Sequence, residues 1–276
     1  MLYLNNTIDI DTKLYPPKVT ISTSNFTSKH LEFLKYELPL IIKKIDLLLI
    51  VNCDNLETIN MSMFTIPIDE LEIINCPRLT YLDLSSNKFT KIHLENIAID
   101  KLEAGNTSKL QNITLSKLDN LTQLDTDYFL ANYIKIDHCL KLIIPSTLVV
   151  KDPQVIAISH CNLRKAPKLY NKNDDSNHYR APHEGIVDFS HNKIVDATNV
   201  ENIEAEVLDL SFNMITEFIA DISMDVGLLN LNNNKLVKLD VYNCDTAFLE
   251  VHALNNPSLQ EFVGQKDSNK GTYYLD

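Results

Sequence analysis

One phrase of spaced leucines and an asparagine recurs along the chain, and this repetition restricts the fold more than any other feature. The phrase LxxLxLxxNxLxxL first occurs as Leu79, Leu82, Leu84, Asn87, Phe89 and Ile92. It returns as Leu208, Leu210, Asn213, Ile215 and Phe218, and again as Leu229, Leu231, Asn234, Leu236 and Leu239. A phrase that recurs at a regular step predicts a stack of similar coils, in which each coil contacts only its neighbours.

The asparagine of the phrase gives a reference position, which we call the rung. Counted from the aliphatic pair before it, the rung is occupied by Cys53, Cys76, Cys139, Cys161, Asn192, Asn213, Asn234 and Asn256. Typical intervals are 23 (53 to 76), 22 (139 to 161) and 21 residues (192 to 213). Between 76 and 118 the phase stays open, because Asn87, Thr107 and Leu118 all fit the rung. Counting from Val19 and Ile21, we expect about ten or eleven coils.

Each aliphatic pair predicts a short strand whose two paired residues point inward while the residue between them points outward. The rung then turns inward and satisfies backbone groups of the bend that follows the strand. Cysteine suits the rung as a small, readily buried side chain. We therefore predict that Cys53, Cys76, Cys139 and Cys161 are buried free thiols, while the state of Cys244 stays open. No CxxC metal pattern accompanies them.

Over about residues 45–262 these repeats resemble the leucine-rich repeat superfamily. The resemblance implies an α/β solenoid, a horseshoe with a parallel β-sheet on its concave face, a mostly irregular or extended convex side and few helices. The linker Leu56, Ile59, Phe64 resembles the typical repeats of extracellular animal proteins. The shorter linker from Phe89 to Leu94 resembles secreted insect, mosquito-type immune proteins of this superfamily.

The resemblance implies a non-enzymatic module that recognises a protein partner, with an extracellular role in innate immunity. The alternative is an intracellular scaffold or a regulatory subunit of a signalling enzyme. The chain lacks the GxGxxG, GxxxxGK[ST], HExxH and GxSxG signatures and has only 5 glycines, so phosphate-cradling loops are disfavoured. We accordingly expect no enzyme activity and no cofactor.

The predicted organisation has three parts. Residues 1–44 form an N-terminal capping region, with a helix over Lys29–Leu38 capped by Ser28. Residues 45–262 form the solenoid, with a polar insertion loop at 168–181, and residues 263–276 form a C-terminal tail. The last coil shows no obvious cap, so the solenoid end could pair in a homodimer or heterodimer.

Charge and hydropathy restrict the partners and the compartment. The net charge is -12, which disfavours nucleic acid and anionic membrane as partners. The most apolar stretch, Leu38 to Val51, is interrupted by Lys43, Lys44 and Asp46, so no membrane span is expected. Met1 is not followed by a signal peptide pattern. The expected location is extracellular if a leader is missing from this sequence, and cytoplasmic otherwise.

The residues between the inward pairs give a column of candidate protein-binding positions. These are Glu72, Asp83, Glu103, Lys135, Asp188, Asp209 and Asn230. An acidic column would steer a basic protein partner, although aspartate is also ordinary on a solvated strand face. The insertion loop offers Tyr170, Tyr179 and Arg180, residue types that protein interfaces favour, unless the loop is merely tolerated.

Two further sets of residues invite a functional interpretation. His138, His160 and His191 each precede a rung, near Asp137, and could bind a metal or become charged together. An ordinary structural role for the histidines is the alternative, and we predict no metal. Six N-x-[ST] sequons are candidate glycosylation sites, at Asn5, Asn25, Asn60, Asn106, Asn112 and Asn120.

Overall fold

The structure, a computed structural model, describes most of the chain as two compact units. Described are residues 8–11, 18–85, 88–103, 105, 107–172, 185–201, 203–221, 224–244, 246, 249–266 and 271–275. The N-terminal unit comprises residues 1–128 and 138–143, and the C-terminal unit comprises residues 129–137 and 144–276. Each unit is a parallel β-solenoid, in which a coil contributes one strand to a main sheet and in most cases a short return strand.

The N-terminal unit contains one helix and ten strands in its described part. They are β1 (Ile8–Asp11), β2 (Lys18–Ser22), α1 (Ser28–Ile41), β3 (Ile45–Val51), β4 (Thr58–Asn60), β5 (Ile68–Cys76), β6 (Tyr81–Asp83), β7 (Lys91–Ile97), β8 (Lys101–Leu102), β9 (Asn112–Ser116) and β10 (Gln123–Leu124). The main sheet has the order β1-β2-β3-β5-β7-β9, antiparallel between β1 and β2 and parallel between the others. The return strands pair as β4-β6 and β8-β10.

The C-terminal unit contains twelve strands in its described part. They are β11 (Tyr133–Asp137), β12 (Thr147–Val150), β13 (Val155–Ser159), β14 (Lys168–Asn171), β15 (Ile186–Asp188), β16 (Glu204–Asp209), β17 (Glu217–Ile219), β18 (Asp225–Asn230), β19 (Lys238–Asp240), β20 (Glu250–Ala253), β21 (Glu261–Val263) and β22 (Thr272–Leu275). The main sheet has the order β11-β13-β15-β16-β18-β20-β22, and the return strands pair as β12-β14 and β17-β19-β21. Short 3₁₀ turns occur at Met61–Met63, Thr107–Lys109, Thr126–Leu130 and Thr198–Val200.

The predicted inward pairs form the core of each unit. Leu48 and Ile50 of β3, for example, are fully buried, as are Leu208 and Leu210 at β16. Burying one such side chain contributes roughly 1.5–3 kcal/mol. Strand register places these inward side chains next to their equivalents in the neighbouring coil, as for Leu48 and Leu71. The inward pairs of each unit therefore form a continuous row of aliphatic side chains.

A residue with a left-handed backbone precedes each rung and turns the chain at the end of the main strand. These residues are Asn52, Asn75, Asn96, Lys117, His138, His160, His191, Phe212, Asn233 and Asn255, with φ between 51° and 61°. Asparagine is enriched in this conformation because its short polar side chain tolerates it.

This marker settles the phase that the sequence left open. Ile97 and Leu118 follow Asn96 and Lys117, and Ile97 is in register with Cys76, so both are rungs. Thr107 lies in a 3₁₀ turn of the return side instead, and Asn87 lies outside the described residues. Ten rungs from Cys53 to Asn256 thus delimit about nine complete coils in the sequence.

The rung cysteines and Cys244 are buried free thiols, as predicted for Cys53, Cys76, Cys139 and Cys161. Cys244, whose state was open, has its Sγ 3.4 Å from the Met224 carbonyl oxygen.

In the N-terminal unit, most bends after the rung close on themselves. The amide of the third residue after the rung donates to the rung's own carbonyl, as in Leu79 N to Cys76 O at 3.0 Å and Leu121 N to Leu118 O at 3.1 Å. The same bond forms from Leu56 N to Cys53 O. A bend that closes in this way needs no hydrogen bond from the side chain of the following rung, so that rung can be a cysteine, as Cys76 is after Cys53 and Cys139 is after Leu118.

In the C-terminal unit, most bends are closed by the next coil. The amide of the second residue after the rung donates to the asparagine Oδ1 of the following rung. Ile194 N bonds to Asn213 Oδ1 at 3.0 Å, and Ile215 N bonds to Asn234 Oδ1 at 3.1 Å. The Asn213 Nδ2 also lies 3.0 Å from the carbonyl oxygens of Phe189 and Leu210. Each buried amide therefore ties two coils together.

The predicted N-terminal helix is present as α1, but its cap differs from our prediction. Thr27 precedes the helix, and its amide and hydroxyl lie 3.0 and 2.9 Å from His30 Nδ1. Ser28 instead donates its hydroxyl to the Thr58 carbonyl of β4 at 2.8 Å. Ser28 thus fastens the helix to the first return strand, and Thr27 takes the capping position.

The tail does not simply end the repeat. β22 pairs in parallel with β20, so residues 272–275 add a further strand to the main sheet. The boundaries that we place at 44/45 and 262/263, and pairing of a solenoid end with a second molecule, stay predictions.

Candidate functional site: the outer face of the main sheet

The outward residues of the C-terminal unit form the column that the sequence predicts. Asp188 is in register with Asp209, and Asp209 with Asn230. Lys135 of β11 lies in the same column, separated from Asp188 by the outward Ala157. Four of the predicted candidates therefore lie along one line of the outer face, the solvent-facing side of the main sheet.

The two aspartates are held in fixed orientations. Asp188 Oδ1 accepts a bond from the amide of Ser190, and Asp209 Oδ1 one from the amide of Ser211, both at 2.8 Å. Asn230 Nδ2 donates to Asp209 Oδ2 at 2.9 Å. Neighbouring strands lie about 4.8 Å apart, so like charges here repel each other.

An apolar stripe runs beside this column, and our sequence analysis missed it. It contains the residues two positions before the column: Tyr133, Val155, Ile186, Val207 and Leu228. Their strand registers join them in one continuous row. Tyr133 and Ile186 are 44% and 39% exposed, and the other three are half-buried. The period-2 alternation of each strand carries this signal, but only the register shows that the five residues are neighbours.

Our prediction was wrong for two members of the column, Asp83 and Glu103, which lie on the return side. Asp83 ends the return strand β6, and Glu103 follows the return strand β8. The column of the N-terminal unit instead runs through Glu72, His93 and Thr114. The error arises because a return strand also buries its aliphatic side chains, so Leu82 and Leu84 have the same spacing as the inward pair of a main strand.

Asp83 and Glu103 instead line a cleft of about 210 Å³ between β6 and β8. Its wall also includes Tyr81, Asp100 and Lys101, and Lys101 Nζ pairs with Glu103 Oε1 at 2.7 Å. The pKa of Lys101 is raised, first by its hydrogen bond to Glu103 and then by the charge of that carboxylate.

The outer face of the N-terminal unit neutralises its own acids. Lys91 Nζ lies 2.6 Å from Glu72 Oε1 and 3.7 Å from Glu70 Oε2. The hydrogen bond to Glu72 is the largest cause that raises the pKa of Lys91. Lys117 pairs likewise with Glu95 at 2.7 Å. In the part of the chain that the structure describes, no lysine or arginine forms such a pair with Asp188 or Asp209.

Two of the predicted histidines form an aromatic stack. The rings of His160 and His191 are 4.5 Å apart and 12° from parallel, and Phe212 stacks on His191 at 4.2 Å. Asp137 Oδ1 lies 3.0 Å from His160 Nδ1. Parallel rings hold their nitrogen lone pairs in parallel planes, so His160 and His191 do not converge on one ion as tetrahedral zinc requires.

His138 lies in the N-terminal unit, at the same left-handed position before a rung, with φ 53°. The three histidines thus share the turn position before a rung, and our expectation that they bind no metal stays a prediction.

The remaining candidates are partly described. Tyr170 lies in β14 and is 38% exposed, whereas Tyr179 and Arg180 lie outside the described residues. Among the sequons, Asn25 and Asn120 are exposed and Asn60 and Asn112 are half-buried. Asn5 and Asn106 lie outside the described residues. Glycosylation and a contact role for the 168–181 loop stay predictions.

Comparison with known proteins gives one match. A family model described as Leucine Rich Repeat matches residues 78–98. No curated protein and no solved structure matches the chain. The matched segment and the solenoid together support assignment to the leucine-rich repeat superfamily, whose solenoids are typically non-enzymatic binding modules.

Among the described residues, no helix has the length and apolar character needed to cross a membrane.

Proposed function

We propose that the protein is a recognition module whose C-terminal unit binds a basic, amphipathic segment of a partner protein on its outer face. The observation that carries the proposal is the Asp188–Asp209 pair beside the apolar stripe. The two carboxylates lie on neighbouring strands without a lysine or arginine partner among the described residues, and the stripe next to them is apolar over five strands.

The chemistry of the partner follows from these two features. Lysine or arginine side chains between Asp188 and Asp209 would relieve the repulsion between the carboxylates. Aliphatic side chains of the same segment would cover the stripe, at roughly 25 cal/mol for each Å² removed from water. The N-terminal unit is the weaker candidate, because Lys91 already compensates Glu70 and Glu72.

A peptide with alternating lysine and valine tests the proposal when its binding is followed by fluorescence anisotropy. The variant D188K/D209K is expected to bind at least ~10-fold more weakly, because two attractive contacts become repulsive. Ile186→Thr should weaken binding less, since it removes only part of the apolar contact. Raising the salt concentration should also weaken binding.

The matched control is E57K/E217K, which makes the same charge change at exposed positions on the return side. It should leave the affinity within about twofold, and a peptide of alternating glutamate and valine should not bind. An equal loss in both double variants would show that only net charge matters and would contradict a site at Asp188 and Asp209.

The setting of this recognition is a second, separate proposal. We infer a role outside the cell, as in innate immunity, from the exposed sequons Asn25 and Asn120. A scaffold or regulatory role inside the cell is the alternative, and the five free thiols favour it. Deglycosylation of the native protein should lower its mass in the first case and leave the mass unchanged in the second.

A further inference from the structure

Cys53 and Cys76 occupy equivalent positions in neighbouring coils. Both are rungs, both follow an asparagine with φ 55°, and both are 0% exposed. β3 and β5 are in register up to Val51 and Ile74, two residues before each cysteine. The two side chains therefore turn into the same layer of the core.

Hydrogen bonds on both sides fix this register. Before the cysteines, Asn75 Nδ2 donates to Asn52 Oδ1 at 3.2 Å. After them, Arg78 Nη1 donates to Asn55 Oδ1, also at 3.2 Å. Neighbouring strands of a sheet lie about 4.8 Å apart, which is within the roughly 4.4–6.8 Å range of Cα separations that disulfides span.

The two thiols share one buried environment. Cys53 Sγ lies 3.5 Å from the Val51 carbonyl oxygen, and Cys76 Sγ lies 3.6 Å from that of Ile74. The thiols also interact directly, and this interaction, followed by burial, raises the pKa of Cys76. Because both thiols are fully buried, a soluble oxidant does not reach them in the folded protein, so any oxidation belongs to the folding stage.

We propose that Cys53 and Cys76 form an intramolecular disulfide when the chain folds in an oxidising environment, locking two neighbouring coils together. The oxidant is a small-molecule disulfide such as oxidised glutathione. The thiolate of one cysteine attacks it, forms a mixed disulfide and releases one glutathione thiol. The second cysteine then displaces the other glutathione, so two protein thiols are oxidised and one glutathione disulfide is reduced to two thiols.

The test is refolding of the denatured, reduced full chain in a glutathione redox buffer. Remaining thiols are blocked with N-ethylmaleimide, and the unreduced protein is digested and mapped by mass spectrometry. The expected product is a peptide containing Cys53 linked to a peptide containing Cys76, in most of the refolded monomer. Recovery of both cysteines as maleimide adducts, or linkage of either to a different cysteine, would overturn the proposal.

The variants Cys76→Ala and Cys53→Ala control for folding. The rungs Ile97 and Leu118 show that this position does not need a thiol, so both variants should refold with the far-UV circular dichroism of the parent. In each variant, the remaining cysteine of the pair should be recovered as the maleimide adduct. If the remaining cysteine were instead recovered in a disulfide with a different cysteine, the assignment would be contradicted.

Discussion

The two units build the same coil with different bend chemistry. In the N-terminal unit, the bend closes through its own backbone, as in Leu121 N to Leu118 O. In the C-terminal unit, the bend depends on the side-chain amide of the next coil, as in Ile194 N to Asn213 Oδ1. The rung is therefore not a uniform position, because its residue type depends on whether the bend of the preceding coil leaves a backbone amide to be satisfied.

The same division separates the two outer faces. The N-terminal face pairs its glutamates with Lys91 and Lys117 across neighbouring strands. The C-terminal face leaves Asp188 and Asp209 beside an apolar stripe. The N-terminal face therefore compensates its own charge, whereas Asp188 and Asp209 have no lysine or arginine partner among the described residues.

The largest expected effect is on the amide rungs. Asn213→Leu removes the acceptor of the buried Ile194 amide. It also removes one of two donors to the carbonyl oxygens of Phe189 and Leu210, which keep their bonds from the side-chain amides of the neighbouring rungs. The unsatisfied amide costs about 1–3 kcal/mol and each lost bond about 0.5–1.5 kcal/mol, so the C-terminal unit should lose on the order of 4 kcal/mol. The loss of unfolding free energy is measured from urea unfolding, monitored by hydrogen exchange in peptides of the C-terminal unit. A cost below about 1 kcal/mol would break the comparison.

The reciprocal change tests the closed bends. Leu118→Asn replaces a fully buried leucine by a polar amide. The adjacent bend already closes through the bond from Leu121 N to the carbonyl of residue 118, so it offers the new amide no such role. We expect a loss of about 3 kcal/mol from the N-terminal unit. An unfolding free energy that is unchanged or higher in Leu118→Asn would contradict the difference in bend chemistry between the two units.

A smaller effect is expected for a thiol rung. Cys76→Ala removes one buried sulfur whose hydrogen bond to Ile74 O, at 3.6 Å, is weak. The cost should be about 1 kcal/mol under reducing conditions, well below that of Asn213→Leu. Equal costs for these two variants in the same urea experiment would show that rung volume, and not hydrogen bonding, sets the stability.

The smallest effect concerns an ion pair of the C-terminal unit. Lys165 Nζ lies 2.7 Å from Asp196 Oδ2, and the hydrogen bonds from Lys165 and Thr198 lower the pKa of Asp196 to about 2. The unfolded value is about 3.9, so the contribution is complete above pH ~5 and is lost as the pH falls toward 2. Because both side chains are partly exposed, it should stay below about 1 kcal/mol.

The difference in unfolding free energy between the parent and Asp196→Asn measures this contribution. It should be constant from pH 7 to about pH 5 and shrink below pH ~4. A difference that grows on acidification would have the wrong sign for a carboxyl group whose folded pKa is lowered.

The solenoid, its inward pairs and most rungs could be predicted from the sequence, because each depends on spacing within one coil. Cys53, Cys161 and Asn213 are recognisable from the aliphatic pair that precedes them. The phase near Leu82 stayed open, and Asp83 and Glu103 were placed wrongly in the column, because a return strand buries its aliphatic side chains with the same alternation as a main strand. The asparagine before the rung, as at Asn75 and Asn96, is the local signal that distinguishes the two.

The candidate site was predictable only in part. Asp188, Asp209 and Asn230 were found because each lies inside an aliphatic pair. The stripe and the compensation of Glu72 by Lys91 were not, because both depend on which residues meet across neighbouring strands. That register is fixed by the lengths of the bends and return segments, which vary from coil to coil, and a spacing rule within one coil does not contain it.

Hydrogen exchange at the Ile194 amide tests the two-bend comparison most directly. In the parent protein this amide should be protected, because it donates to Asn213 Oδ1. In Asn213→Leu it should exchange at least ~10-fold faster, while the Leu121 amide, which donates to the Leu118 carbonyl, keeps its protection. Unchanged protection of Ile194 in the variant, or equal loss at both amides, would contradict the account.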